Sequence, residues 1–439
     1  MQPRIGRSLA VDCLALFLLL VACGCGGSSG TSTPPPPTRA YRLSAAAVQA
    51  VPGSPTFFQQ TPPGFTFGNL AGDADAITVV LENYGIPWDE FAASATPPPG
   101  HPWTVAMSGF AAAARATGKP IVVQAVLSRD RLVGRAVVTN GLLDVQANWQ
   151  PTCYDFGTDA NGPAYALAFQ RFAVWIAQQF QPQHFVLGVE INAFYAACGN
   201  GAAWQALISV ANQSNAAVKA TLPSAHVYPS FILSDLYASS LAGFDTAAVN
   251  AVSTLQRDRL GLSSYPQGLH NNAGQPIVPA DLPPDYFSRL RDRNPAEPAI
   301  VITETGWNSN DLSGGIPGAC SVLAASTEQR ATDYLDLVLR KAGEDHMELV
   351  TWWSDRDLLP AQVMGTCYPM ASPPTYSACG TDPWCPPVNI FRAVNPADPL
   401  TGEVFFKIFG TMGLRSYDGT TKSLLMHRWQ SALAMQIGQ

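Results

Sequence analysis

Two glutamates end apolar runs in the same way. Glu304 closes Ala299-Ile-Val-Ile-Thr-Glu304 and is followed by Thr305, Gly306 and Trp307, while Glu190 lies near the end of Val186-Leu-Gly-Val-Glu190-Ile-Asn192. Each run reads as a short strand buried on both faces, delivering a carboxyl group where the backbone leaves a sheet. Two such groups about 5–5.5 Å apart can perform double displacement at an acetal carbon. One is protonated and donates to the leaving oxygen; the other is ionised and attacks. Far apart in the chain, they can meet only through the fold.

The elements that must position them recur with a regular rhythm. Strands are expected at 76–81, 121–127, 186–191, 226–232, 260–265, 299–303 and 348–353, with a weaker one at 64–67. Between them lie helical patterns. Tyr165, Phe169, Phe172, Ile176 and Phe180 form one apolar stripe, and Ala331, Tyr334, Leu335, Val338 and Leu339 form another behind Ser326 and Gln329 at capping-box spacing. Helices are also expected at 108–117, 203–221 and 286–293. About eight strand–helix repeats without a long polar break predict one (β/α)8 TIM barrel over residues 41–439, as a single catalytic domain. No G-x-G-x-x-G or P-loop supports an open doubly wound sheet. The Pro/Cys-rich stretch 364–399 is expected to be a disulfide-pinned loop over one barrel face, and 403–410 the start of the last barrel helix.

In 439 residues, 47% hydrophobic and 13% charged with net charge −7, a large core is available and no basic patch invites nucleic acid. Arg4, Arg7 and the apolar run 13–22 read as a signal peptide over 1–22. It ends in Leu20-Val-Ala-Cys23-Gly24, which resembles the lipobox of bacterial lipoproteins and implies lipidation of Cys23. A Gly/Ser/Pro-rich tether over 23–40 would hold the domain at a membrane surface, on the outer membrane or cell surface. Beyond Cys13, Cys23 and Cys25, six cysteines remain: Cys153, Cys198, Cys320, Cys367, Cys379 and Cys385. An even number in an exported chain favours disulfides. Cys153–Cys198 is the expected pair, since both follow strands on one side of the fold; the other four stay unassigned. No cysteine or histidine has metal-site spacing, so no metal or cofactor is expected.

Counted from the strand at 64–67, Glu190 falls on the fourth strand and Glu304 on the seventh. In this the chain resembles the clan of retaining (β/α)8 glycoside hydrolases. Val189-Glu190-Ile191-Asn192 and Thr303-Glu304-Thr305-Gly306-Trp307 look most like the endo-β-1,4-galactanase and endo-β-1,3-glucanase families. The resemblance implies Glu190 as acid/base, Glu304 as nucleophile and a β-linked polysaccharide or oligosaccharide as substrate. It also implies Tyr265 as a hydrogen-bond donor to the nucleophile and Trp353 as a floor for the sugar. Trp88 and Trp307 are candidate subsite platforms. The clan's usual Asn before the acid/base is Val189 here, and Asn192 is the candidate replacement. A non-catalytic carbohydrate-binding lipoprotein and an envelope transglycosylase remain as alternative readings on the same barrel.

Overall fold

The computed structural model describes residues 37–48, 67–81, 86–125, 127, 137–139, 142–144, 153–237, 241, 243–269, 276–372, 375–394 and 398–438. The expected signal peptide, Cys23 and most of the tether lie outside them. The folded body begins at Thr38, so it takes in the last residues assigned to the tether. Thr38 and Arg39 pair in parallel with Gln436 and Ile437. The buried Arg39 donates to Ala432 O at 2.9 Å and pairs with Asp75 at 2.7 Å.

The central sheet is entirely parallel. Its strands are β1 (Arg42–Val48), β2 (Ala76–Leu81), β3 (Ile121–Ala125), β4 (His184–Leu187), β5 (His226–Tyr228 with Ser230–Ile232), β6 (Leu260–Ser264), β7 (Ile300–Thr305) and β8 (Leu349–Trp352). β8 pairs with β1, and the two halves of β5 join β4 to β6, closing an eight-stranded barrel. β5 changes partners at Pro229, which has no N–H to give a ladder. Gly261 faces that step, where a Cβ would lie 2.6 Å from Pro229 O.

The first strand is thus Arg42–Val48 rather than 64–67. Residues 64–66 lie outside the described set, and Phe67 opens the helix α1 (Phe67–Gly72). The count to four and seven survives because one early strand replaces another. The outer layer continues with α2 (Pro102–Ala116), α3 (Gly162–Phe180), α4 (Ala202–Thr221), α5 (Thr246–Val252), α6 (Arg289–Arg293), α7 (Glu328–Glu344) and α8 (Ser423–Leu433). Both expected stripes face the core, on α3 and α7, with Tyr165 at the start of the first only half-buried. The N-cap of α7 is Thr327, which accepts from Arg330 N at 3.2 Å. Ser326 instead receives the Trp307 indole N–H at 3.0 Å. The last barrel helix is α8, whose Trp429 donates to Asp73 O at 2.7 Å.

The stretch expected to start that helix belongs to the insertion instead. Helices Cys385–Val394 and Pro399–Lys407 pack on each other beside a hairpin of Leu312–Ile316 and Ala319–Ala324. Disulfides Cys320–Cys367 and Cys379–Cys385 pin this layer, and Cys153–Cys198 forms as expected. At its centre Glu403 accepts from Arg392 at 2.6 Å and Lys407 at 2.8 Å, with all three side chains at most 3% exposed. Lys407 also donates to Ser313 O and Thr366 O, and Arg392 to Gly315 O and Tyr368 O. One carboxylate therefore holds two cations that together tie hairpin, loop and helices. Removing one partner of a buried charge network leaves an uncompensated ion. Glu403→Ala should accordingly lower the unfolding free energy by about 3–5 kcal/mol, read by urea denaturation followed through tryptophan fluorescence.

Candidate active site

β4 ends at Leu187, earlier than expected, and Glu190 sits just beyond it in an irregular step. Gly188 and Glu190 both have positive φ, +95° and +53°. Ser230 N donates to Gly188 O and accepts back through its carbonyl from Ile191 N, so Val189 and Glu190 together oppose one residue of β5. That extra residue is a bulge, and it re-aims the side chain it carries. A left-handed glutamate is uncommon and persists where its surroundings hold it. Two serines supply part of that hold. Glu190 N donates to Ser230 Oγ at 2.9 Å, and Ser263 Oγ donates to Glu190 Oε1 at 2.6 Å.

A second irregularity aims Glu304. In β7, Val301 packs in a small cluster with Val122, Val186, Tyr228 and Leu349, while Ile302 belongs to the main core. Strict alternation would then send Glu304 to the same side as Ile302. The register with β6 slips after Leu262: Ile302 pairs with Leu262, but Glu304 pairs with Ser263. Thr305 consequently faces the helix layer, where its hydroxyl meets Tyr334 OH of α7 at 2.8 Å. Glu304 turns inward beside Ser263, the residue that holds Glu190. Ser263 is thus shared ground between the two glutamates, a hydrogen-bond partner of one and the strand neighbour of the other.

Glu304 is 6% exposed. Burial pushes its carboxyl well above the usual carboxylate range, and the Glu190 charge adds to the rise. Tyr265 opposes them by donating from its hydroxyl to Glu304 Oε2 at 3.1 Å. Burial and both carboxylates in turn raise the Tyr265 phenol. Two groups coupled in this way titrate as a pair.

Of the expected site residues, Glu190, Glu304 and Tyr265 converge. Trp353 joins them at the barrel mouth: it clusters with Ala46 and Val80, and Phe409 meets both its ring and that of Tyr265, at centroid distances of 5.9 and 4.9 Å. The Trp353 indole N–H is buried with no hydrogen-bond partner among the described residues. Trp352 points the other way, donating to Met412 O at 2.7 Å. Asn192 is committed elsewhere, because its amide clamps both the N–H and the C=O of Ile232 at 2.8 and 3.0 Å. Trp307 is buried against Tyr334. Trp88 is buried against Phe169 and Phe172. Both expected platforms are therefore core residues, placed there because each opens onto a helix layer rich in aromatic rings. Among the described residues no group of His, Cys, Asp or Glu is arranged to hold a metal ion.

Sequence reasoning missed Ser230, Ser263 and Phe409. Small hydroxyl residues ending an apolar strand, as in Leu262-Ser263-Ser264, were the available signal for Ser263. Phe409 carried none, since its segment reads as an ordinary barrel helix.

The sequence matches no protein-family model and no curated protein. Similarity appears at the level of structure. A GH5_18 variant from Bifidobacterium longum subsp. longum, in complex with Manβ1-4GlcNAc, superposes with TM-score 0.50 at 11% identity, covering 90% of this chain and 80% of its own. A GH5_18 variant from Streptomyces cattleya, in complex with the same disaccharide, gives 0.51 at 12% identity, covering 90% and 80%. An exo-β-1,4-mannosidase from an Opitutaceae bacterium gives 0.52 at 15% identity, covering 91% of this chain and 60% of its own. In fold, this chain is similar to (β/α)8-barrel glycosidases.

Proposed function

We propose that this protein is an exported retaining glycoside hydrolase acting on β-linked glycans, with Glu190 as acid/base and Glu304 as nucleophile. The observation that carries the reading is the convergence of two glutamates on Ser263, each turned there by its own backbone irregularity. In the first step Glu304 attacks the anomeric carbon while Glu190 protonates the departing oxygen. In the second, Glu190 takes a proton from a water whose oxygen bonds to the anomeric carbon as the bond to Glu304 breaks, releasing the sugar. Tyr265 favours the ionised form of Glu304 that the attack requires. The Trp353 ring offers an apolar face to the CH side of a pyranose. With Asn192 held by Ile232 and Val189 before the acid/base, the sugar 2-hydroxyl is recognised by some other group.

The endo-β-1,4-galactanase and endo-β-1,3-glucanase resemblance and the β-mannosyl ligands of the structural neighbours together name the substrates to try first. Lipidation at Cys23 and attachment to the outer membrane or cell surface complete the proposal; three disulfides suit an oxidising compartment.

A panel of 2-deoxy-2-fluoro-β-glycosyl fluorides of the gluco, galacto and manno series should add one glycosyl mass to the peptide containing Glu304. Attachment at any other residue contradicts the role assignment, and no attachment with no glycan turnover favours the carbohydrate-binding alternative. Glu190→Gln should reduce kcat by about 10²–10⁴-fold on substrates with poor leaving groups. Tyr265→Phe removes a donor to ionised Glu304, so the Glu304 pKa rises. The acidic limb of the kcat/KM profile should therefore move to higher pH; an unmoved limb would show that the phenol plays no such part.

A further inference from the structure

A cleft of about 630 Å³ opens between the loops that follow β7 and β8, lined also by Ser416, Tyr417, Asp418 and Lys422 ahead of α8. Neither Glu190 nor Glu304 lines it. Segment 411–413 is bonded to both of those loops, with Ser309 donating to Thr411 O and Gly413 N donating to Asp357. The cleft thus lies on the same end of the barrel as the carboxylate pair, since it is built past the C-terminal ends of β7 and β8, and Glu304 and Glu190 stand at the C-terminal ends of β7 and β4.

Most of its charge is already spent inside the protein. Lys422 pairs with Asp357 at 2.6 Å. Glu328 accepts from Leu424 N and Leu425 N at the start of α8, and Asp418 accepts from Thr420 N. What remains for a ligand is different in kind: the carboxamide of Gln362, the amide N–H groups of Asn310, whose Oδ1 faces Ser309 Oγ at 3.3 Å, and the hydroxyl and ring of Tyr417. The Tyr417 ring is propped edge-on by Trp384 at 6.0 Å. Carboxamides give and accept hydrogen bonds in pairs, as vicinal hydroxyls require. A braced aromatic ring offers a flat apolar surface, and the surrounding carboxylates disfavour an anion. Size, polarity and ring together fit a neutral polyhydroxylated chain.

We propose that this cleft is a second glycan-binding site, holding a stretch of neutral oligosaccharide through Tyr417, Gln362 and Asn310 without cleaving it. The identity of the ligand rests on the glycan reading of the barrel mouth, but the site does not depend on turnover. It keeps a polymer on the rim while the carboxylate pair acts on another part of it.

Titration calorimetry in the Glu304→Gln background tests this, using hexaoses of β-1,4-mannan, β-1,4-galactan and β-1,3-glucan. At least one hexaose should fill two sites, and Tyr417→Ala with Gln362→Ala should weaken the second by about tenfold or more. Gln362→Arg, which blocks the cleft from an exposed position, should do the same with an unchanged thermal melt. In the catalytically intact background, the double variant should raise KM for the polymer and leave kcat/KM for an aryl glycoside unchanged. Identical stoichiometry and affinity in parent and variants overturns the proposal, as does a failure of all three hexaoses to bind. Loss of cleft binding in a chain without hydrolytic activity would uphold the cleft and remove the catalytic reading; intact hydrolysis with no cleft effect would do the reverse.

Discussion

A parallel barrel closed by eight strands leaves little space along its axis, and whatever points inward must be small, apolar or paired. That constraint governs the mouth of this protein. Ser44, Thr78 and Thr351 fill the inside with hydroxyls bonded to one another at 2.7 and 3.2 Å. Gln124 spans the interior to donate to Thr303 O at 2.7 Å. Into this crowded space the fold introduces two acidic groups, at a desolvation cost that only a partner or a shared proton offsets. Slippage between β6 and β7 turns Glu304 inward, and the bulge opposite Ser230 turns Glu190 to meet it beside Ser263.

Much of this was legible in the residues. Apolar runs at regular intervals gave strand order, because strands covered by helices on one side and by their own barrel on the other need apolar residues throughout. Hence the placing of Glu190 and Glu304 on the fourth and seventh strands held even though the first strand was sought at 64–67. Arg42–Val48 escaped notice because its alanines carry little strand propensity; packing against β2 and β8 decides the matter. The bulges were invisible, since nothing in Val189-Glu190 or Thr303-Glu304 states that a ladder slips there. Trp88 and Trp307 misled for a related reason. A tryptophan near a strand end has the same letter whether it faces a sugar or a neighbouring helix, and only the partner elements, α3 and α7, settle which. Asp355 and Asp357, just past β8, are at most 2% exposed and lie against Arg356, Arg415 and Lys422; Arg415 and Lys422 come from positions too distant for spacing to suggest.

The layer built from the hairpin and the two insertion helices is not mere cover. Ile408 O, at the end of its second helix, accepts from Asn308 at 2.9 Å and from Gln267 at 3.3 Å, which fixes the turns leaving β7 and β6. Phe409, the next residue, wedges between Tyr265 and Trp353. The Glu403 network therefore acts on the mouth at a distance by holding the segment that carries Phe409.

The partner change at Pro229 gives the cylinder a seam, and its location has a consequence for the acid at the rim. Glu190 hangs from Ser230, in the half of β5 that pairs with β6, and from Ser263 of β6 itself. Whenever thermal breathing parts β4 from that side of the wall, both anchors move together away from the backbone that carries Glu190, and the glutamate loses its fixed aim. The orientation of one proton donor is thereby geared to the integrity of the barrel wall, so that a loosened wall and a misdirected side chain become a single event.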